Sequence, residues 1–398
     1  MSDNAYYDGY GSRGPRKGRR RGVLRLLDAL LTLCSLAVGA VMVVTYFVPY
    51  VNPGRVWFLP VLGLAAPAVY VAAVVLMLYW VIRWRRVQAL TMLAVVFIGL
   101  FDVSLFWRPE IRRTYGEVSD RGTFEFMSYN VRGFYGEDGQ SSVDSVVQLI
   151  ERLDPDIVCL QEFNGRLADR SERFRILSDS YESARFGQTS APDSLVGASM
   201  IILSKYRILR SATVLSPHSA VWADVLIDDD TVRVFNNHLR STAINADDND
   251  FITSRILSDT AREVKIRSIV SRLRENSELR AYQVDSIAAV IEATRTPRIV
   301  CGDFNDTPVS YVYRRMAAGL DDAFSDCGSG YSYTYRGFFN MLRIDFVLTS
   351  PEFRAVVYEV PEVTFSDHLP VVVRLKRTPR KWGGGPEVVP EKKMSGRP

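Results

Sequence analysis

Three apolar stretches crowd into the first quarter of the chain and constrain it more than anything that follows. Val23 to Tyr50, Val56 to Ile82 and Val87 to Trp107 each approach the about 20 residues that a helix needs to cross a bilayer. A core helix of a soluble protein would carry a polar stripe. The first two runs carry none, apart from Asp28 near one end, and the third holds Asp102. Tyr46, Tyr50, Trp57, Tyr79, Trp80, Trp84 and Trp107 sit near the run ends, where interfacial aromatics collect. A cleaved leader fits poorly, because the first run is long and a second follows closely.

Loop charge predicts orientation. A basic arm with Arg13, Arg16, Lys17, Arg19, Arg20 and Arg21 precedes the first run, and Arg83, Arg85 and Arg86 lie between the second and third. The first connection has only Arg55. The positive-inside rule puts the arm and the second connection in the cytoplasm, and three spans carry the remainder across to the extracytoplasmic side of the cell membrane. Arg108, Arg112 and Arg113 pull the other way, and two spans instead of three would invert the assignment. Three helices with Asp102 as the one candidate intramembrane charge do not describe a transporter.

The expected organisation is a basic arm over 1–22, a three-helix membrane region over 23–107, a linker over 108–122, a soluble domain over 123–377 and a disordered tail over 378–398. The tail is rich in Pro, Gly and Lys. A net charge of +4 is too small to argue for a nucleic-acid partner. Four cysteines without a Cys-x-x-Cys pair exclude a disulfide framework and a zinc knuckle.

Within the soluble block, strand-like runs alternate with helical spacing. Phe124 to Asn130, Ile157 to Leu160, Gly197 to Leu203, Ala220 to Ile227, Thr231 to Asn237, Arg298 to Gly302, Ile344 to Thr349 and Val371 to Leu375 read as strands. Ser142 to Leu153 reads as a helix, as does Asp250 to Ala293 with a break near Glu275-Asn276. Two packed sheets with helices outside are the natural architecture. The informative polar residues fall at strand ends, where rigid elements aim several side chains at one point. Asp303 and Asn305 in Gly302-Asp303-Phe304-Asn305, and Asp367 and His368 near the C-terminus, are groups that suit a hard divalent cation and the phosphate ester it polarises. Taken singly, most of these motifs also read as turns, solvated strand ends or a satisfied core histidine.

Together and in order, Asn130-Val131-Arg132, Gln161-Glu162, Asn236-Asn237-His238-Leu239, Gly302 to Asn305, Arg343-Ile344-Asp345-Phe346 and Ser366-Asp367-His368 resemble the endonuclease/exonuclease/phosphatase superfamily. The resemblance covers about Phe124 to Leu375. It implies a four-layer α/β sandwich, two packed mixed sheets flanked by helices, here preceded by the three expected membrane helices. It also implies a hydrolase that cleaves phosphate esters with Mg²⁺ or Mn²⁺. On that resemblance Glu162 is the main metal ligand, with Asn130 and Asp367 beside it. Asp303 positions the water, Asp303 or His368 is the base that deprotonates it, and Asn305 holds that water or a phosphoryl oxygen. His238 and His368 stabilise charge on the phosphate, and Asp345 orients His368.

Arg132, Lys205 and Arg336 are candidate phosphate contacts, and Tyr331 to Arg336 with Phe338-Phe339 are candidates for the rim. Arg166, Arg170, Arg173 and Arg175 alternate with Asp169, Glu172 and Asp179, so they do not make a phosphate track, and Asp247-Asp248-Asn249-Asp250 would repel a polyanion. A silent binding module on the same fold would lack Glu162, Asp303 or His368, and all three are present. The expected partners are a phosphoester substrate, whether nucleic acid, phospholipid or small ester, and the bilayer. No protein partner is legible.

Overall fold

A computed structural model describes residues 17–109, 122–187, 199–216, 218–241, 259–337 and 340–378. Most of the basic arm, most of the linker over 108–122, the acidic stretch Asp247 to Asp250, Phe338-Phe339 and the tail beyond Thr378 lie outside the described residues. The chain forms two compact units. One comprises Met1–Tyr46 and Ala65–Leu100, the other Phe47–Leu64 and Phe101–Pro398.

In the first unit, Lys17–Thr45 forms α1 and Leu59–Ile82 forms α2, whose opening residues Leu59 to Leu64 belong to the second unit. Two helical segments, Gly22–Tyr50 and Leu59–Ile82, are long and apolar enough to cross a membrane. The third expected span is not one helix. Arg86–Ile98 forms α3 and Leu100–Val103 forms α4, with Gly99 between them. Thirteen residues rise about 20 Å, short of a hydrocarbon core of about 30 Å. Gly99 is also where backbone and aromatic side chains meet. A Cβ there would lie 2.8 Å from Tyr46 Oη and 3.0 Å from the Tyr70 ring, and Tyr46 Oη donates to the Val95 carbonyl at 2.6 Å.

The second unit holds two six-stranded sheets. One runs β13-β14-β2-β3-β5-β4, built from Thr123–Asn130 (β2), Ile157–Phe163 (β3), Glu182–Phe186 (β4), Ser199–Ser204 (β5), Phe353–Glu359 (β13) and Val371–Arg377 (β14). The other runs β10-β12-β9-β8-β7-β6, built from Arg207–Val214 (β6), Ala220–Ile227 (β7), Asp230–His238 (β8), Arg298–Asp303 (β9), Asp321–Asp322 (β10) and Asp345–Thr349 (β12). Trp107–Arg108 (β1) and Gly330–Tyr331 (β11) make a separate two-stranded pair.

Period-two alternation sorts the strand side chains between two cores. Phe126, Cys159, Ile202, Val234, Cys301 and Val347 fill the space between the sheets. Met127, Val158, Leu160 and Ile201 face outward onto Val143–Leu153 (α5), with Gly165–Arg170 (α6) and Glu172–Asp179 (α7) beside it. Val143, Val146, Val147 and Ile150 recur at helical spacing and are all buried, which is why that stretch of α5 is a helix and which face it hides. Asp154 ends α5 in the left-handed region at φ 49°, just before Pro155. On the far side, Asp259–Ala293 (α8) and Tyr311–Met316 (α9) cover Phe235, Val300, Phe346 and Leu348. The expected four layers are therefore present.

The helix α8 runs without the break expected at Glu275-Asn276. Asn276 is buried there and its Oδ1 accepts from Arg240 Nε at 2.8 Å, so its amide serves a tertiary contact while Glu275 faces outward.

The topology prepares the site. β2 and β3 are parallel, as are β8 and β9, so within each pair the C-terminal ends point the same way. Those ends carry Asn130, Glu162, His238 and Asp303. β12 runs antiparallel to β9 and begins where β9 stops, which pairs Asp345 with Asp303.

Candidate active site

Below the site the two sheets are joined by polar side chains rather than apolar ones. Gln161 Nε2 donates to Asn236 Oδ1 at 2.7 Å, and Asn236 Nδ2 donates to the Leu160 and Ile201 carbonyls at 3.0 and 3.2 Å. Buried donors without partners are costly, so this bridge fixes how one sheet sits on the other. Gly302 allows an equally close approach inside the second sheet. Its φ is 123°, and a Cβ would meet the Asn237 carbonyl oxygen at 1.9 Å.

Asn130, Glu162, His238, Asp303, Asn305, Asp345 and His368 converge above this bridge. Asn130 Nδ2 donates to Glu162 Oε1 at 3.2 Å and to Asp303 Oδ2 at 3.1 Å. Its own Oδ1 accepts from the Arg132 N–H at 3.0 Å. Glu162 has φ 50° at a register shift between Leu160 and Phe163 on the β3–β5 ladder. A bulge re-aims a side chain, and here it turns Glu162 out of the strand pattern and into the cavity. His238 Nε2 lies 3.4 Å from Glu162 Oε1 and 3.9 Å from Asp303 Oδ2. Asn305, also in the left-handed region, grips Asp303 twice. Its N–H donates to Oδ1 at 2.8 Å and its Nδ2 to Oδ2 at 2.9 Å. His368 Nδ1 is 2.9 Å from Asp345 Oδ2, and its Nε2 is 3.7 Å from Asp303 Oδ2.

Electrostatics distinguish Asp303 from Glu162. Burial raises Asp303 to about 6 against the pull of His368 and His238. Burial also works on Glu162, but the hydrogen bond and charge of His238, with the Asn130 N–H, outweigh it and hold the carboxyl at about 2. Burial would lower His368; Asp345 and Asp303 reverse that and lift it to about 10. His238 is raised in the same way, the charge of Glu162 overcoming burial. The arrangement thus presents a carboxylate ionised through the neutral range, a second raised toward neutrality, an imidazole that favours its cationic form and another shifted in the same direction.

Glu162, Asp303, Asn305 and His368 of this group line a cavity of about 230 Å³, together with Leu64, Arg132, Ser241, Tyr335, Leu342, Ile344 and Asp367. Its floor offers oxygen and imidazole donors and no thiolate, which is the donor chemistry of a hard divalent cation. Glu162 and Asp367 each expose a third of their side chains. Asp303, Asp345 and His368 also bring potential ligand atoms within 4.8 Å of one another, but Asp345 and His368 already bond each other. The solvent-facing Glu162 oxygen, beside Asn130, is the better-placed acceptor for an ion entering from the cavity.

Of the three candidate phosphate contacts, Arg132 reaches the cavity, where its Nε is 3.7 Å from Asp367 Oδ2. Arg336 is not among the lining residues. It pairs with Glu137 and donates to the Val363 carbonyl. Lys205 is not brought to the group. Its ammonium holds Asp154 and Asp156 at the opposite end of β3 from Glu162.

Three lining or supporting residues were not legible as such. Thr334 Oγ1 accepts from the Ile344 and Asp345 N–H groups, both at 3.0 Å, and so sets the start of β12. Ser241 follows the His238 strand into a segment with no distinctive pattern. Leu64 sits within an apolar run and carries no chemical mark.

No curated protein matches the chain. The profile of an uncharacterised domain, the domain of unknown function DUF8431, matches residues 28–106. Solved structures match the chain at low identity. An endonuclease/exonuclease/phosphatase family protein of Bacteroides thetaiotaomicron is 18% identical, with a TM-score of 0.46, covering 64% of this chain and 98% of that one. The mannosyl-6-phosphatase of Bacteroides thetaiotaomicron is 19% identical, with a TM-score of 0.43 and coverages of 63% and 99%. The human nocturnin catalytic domain is 18% identical, with a TM-score of 0.45 and coverages of 65% and 94%. The Endonuclease/Exonuclease/phosphatase family profile matches residues 127–368, which is most of the second unit and includes every residue of the convergent group. The chain belongs to the endonuclease/exonuclease/phosphatase family and is an enzyme that hydrolyses phosphate esters.

Proposed function

We propose that the chain is a membrane-held, divalent-metal-dependent phosphoesterase whose catalytic unit works on the extracytoplasmic face of the cell membrane. One observation carries the catalytic part: carboxylate, amide and imidazole groups from both sheets converge on a single cavity. Glu162 and Asn130 would hold Mg²⁺ or Mn²⁺, with Asp367 nearby. A bound ion supplies charge that polarises a phosphoryl oxygen and neutralises developing negative charge.

The protein's own residues account for the rest. Asp303, raised to about 6 and fixed by both donors of Asn305, is poised to take a proton from water at neutral pH. His368, lifted to about 10, and His238, raised by Glu162, stabilise charge on the phosphoryl oxygens. Asp345 keeps the His368 ring in one orientation. Arg132 reaches the cavity as a contact for the ester's phosphate.

Loop charge and the placement of the α1–α2 connection support this topology. The connection between α1 and α2 folds as part of the catalytic unit. If α1 and α2 both cross, the catalytic unit shares a membrane face with that connection, opposite the basic N-terminal arm. With the arm in the cytoplasm, the third apolar run, Val87 to Trp107 taken whole across Gly99, would return the chain to that face.

The test is hydrolysis of bis(p-nitrophenyl) phosphate and p-nitrophenyl phosphate by the full chain in detergent, with Mg²⁺, Mn²⁺ or EDTA. Turnover with metal, lost in EDTA and lowered roughly 10²-fold or more in His368→Ala, is the expected result. A folded protein whose turnover is indifferent to EDTA, or unchanged in His368→Ala, defeats the proposal. A reporter fused after the described C-terminal strand and silent on the extracytoplasmic side defeats the topology alone.

A further inference from the structure

We infer that the enzyme's substrate is the phosphoester of a membrane phospholipid, with Leu64 forming the wall that meets its apolar portion. This rests on the phosphoesterase reading above and adds the substrate class. The argument begins with the segment that supplies Leu64. Residues Phe47 to Leu64 connect α1 and α2, yet they are built into the catalytic unit. Val48, in a 3₁₀ turn over Val48–Tyr50, is buried, as is Leu59. The Tyr50 ring lies under the Arg314 guanidinium, 4.0 Å from its centroid. Asn52 Nδ2 donates to Asp285 Oδ2 at 3.1 Å and to Tyr311 Oη at 3.3 Å. Thr307, two residues beyond Asn305, donates its hydroxyl to the Gly63 carbonyl at 3.3 Å. The connection is therefore fastened to the same loop that carries Asp303 and Asn305.

Leu64 follows Gly63 into the cavity, where Leu342 and Ile344 also line the wall. The cavity thus pairs a charged floor with an apolar side, the division a headgroup ester and its hydrocarbon require. Leu64 lies in α2, and that helix taken whole, Leu59–Ile82, is apolar and long enough to cross a membrane.

Charge argues against a polyanion in the same place. Among the described residues lining the cavity, Arg132 is the one arginine or lysine, and it faces Asp367. Arg336, nearby in sequence to the lining residue Tyr335, is paired with Glu137. Nucleic-acid sites use several cations spaced along a backbone, and that pattern is not present among these residues. In the reaction a water oxygen bonds to phosphorus and one P–O ester bond breaks. The released alcohol takes up a proton.

The full chain is reconstituted into nanodiscs of phosphatidylglycerol, phosphatidylethanolamine and phosphatidylinositol phosphate. Release of phosphorylated or dephosphorylated headgroup is measured beside hydrolysis of bis(p-nitrophenyl) phosphate and of a thymidine oligonucleotide. Turnover of a nanodisc lipid is expected. Leu64→Gln should lower the ratio of lipid to bis(p-nitrophenyl) phosphate turnover by roughly tenfold, since a buried leucine contact is lost with the lipid and not with the soluble ester. Asn52→Ala, which loosens the connection without entering the cavity, should lower the same ratio in the same direction. Oligonucleotide cleavage without lipid turnover overturns the inference while leaving the phosphoesterase reading intact. An equal loss on both esters in Leu64→Gln also overturns it. A folded protein that turns over none of the three removes both.

Discussion

The Nδ1 of His368 lies 2.9 Å from Oδ2 of Asp345, and the contact joins the loop before β14 in one sheet to the first residue of β12 in the other. Both side chains are buried. Asp345 therefore acts twice: it orients the imidazole, and its charge, with that of Asp303, lifts His368 to about 10 against burial.

This pair predicts a pH dependence of stability. The folded pKa of His368 is raised above its ordinary 6.5, so its contribution is fully present below about 6.5 and is lost as pH rises toward about 10. Asp303 is already ionised across that window. The melting temperature of wild type should fall between pH 6.5 and 10 more steeply than that of Asp345→Asn. The same variant should lose roughly 10²-fold in turnover, and the alkaline limb of its rate profile should move toward neutrality. Equal slopes in the two melting series would show that Asp345 does not set the charge of His368.

Glu162 is the residue on which metal affinity should turn. Its carboxyl is held at about 2, so it stays ionised through the neutral range and does not compete for protons with an arriving cation. Glu162→Gln keeps the shape and the Asn130 contact but removes the charge. Stabilisation by Mn²⁺ or Mg²⁺ in a thermal-shift titration should be lost, and turnover should fall by roughly 10³-fold. Retained metal stabilisation in this variant would move the ion to Asp303, Asp345 and His368, the other group able to hold one.

How much of this was legible depends on whether a residue carries a chemical mark. Asp303 and Asn305 stand out in Gly302-Asp303-Phe304-Asn305, because a carboxylate and an amide at the mouth of a buried strand need a reason. The strand β6 escaped notice because it lies at a sheet edge, largely exposed, so Arg207-Ile208-Leu209-Arg210 shows no burial alternation. Lys205 follows a strand end as Asn130, Glu162 and Asp303 occupy theirs. It lies at the wrong end, because β5 runs antiparallel to β3 and finishes beside the start of that strand. Leu64 is indistinguishable in sequence from its apolar neighbours, and its position emerges only from the docking of the α1–α2 connection on the catalytic unit. The third apolar run has the composition of a span, but Gly99 divides it.

Gly302 predicts a loss of folding rather than of chemistry. Its φ of 123° excludes other residues, and the Asn237 carbonyl oxygen occupies the space of any Cβ at 1.9 Å. Gly302→Ala should cost about 3 kcal/mol or more, because β8 and β9 must separate to admit the methyl group. Circular dichroism melts and soluble yield would report it. A variant with unchanged melting temperature would mean that the close β8–β9 approach is not required.

The Gln161–Asn236 bridge should behave as a coupled unit. Asn236→Leu leaves Gln161 Nε2 without its 2.7 Å acceptor inside the protein, and Gln161→Leu leaves Asn236 Oδ1 without its donor. Each single change should destabilise by about 1–3 kcal/mol. The double variant should cost less than the sum, since neither polar group is then stranded. Additive losses in a urea-denaturation cycle would show that the two side chains stabilise the sheets independently.

Arg343 makes the sharpest separation between structure and catalysis. It belongs to the same motif as Asp345, but its guanidinium points away from the cavity. It donates to both Asp322 oxygens, at 3.3 and 2.9 Å, and to the Leu105 carbonyl at 2.9 Å, sandwiched between the Phe324 and Phe346 rings. The side chain is fully buried and Asp322 nearly so, so removing the cation strands a buried carboxylate. Arg343→Met should destabilise by about 3–5 kcal/mol, and adding Asp322→Leu should recover much of that loss. Turnover per folded molecule in the double variant should stay within a few-fold of wild type, because neither residue lines the cavity. A loss of several hundredfold with normal folding would mean that Arg343 reaches the reacting phosphate through the β12 strand, and would return it to the catalytic set.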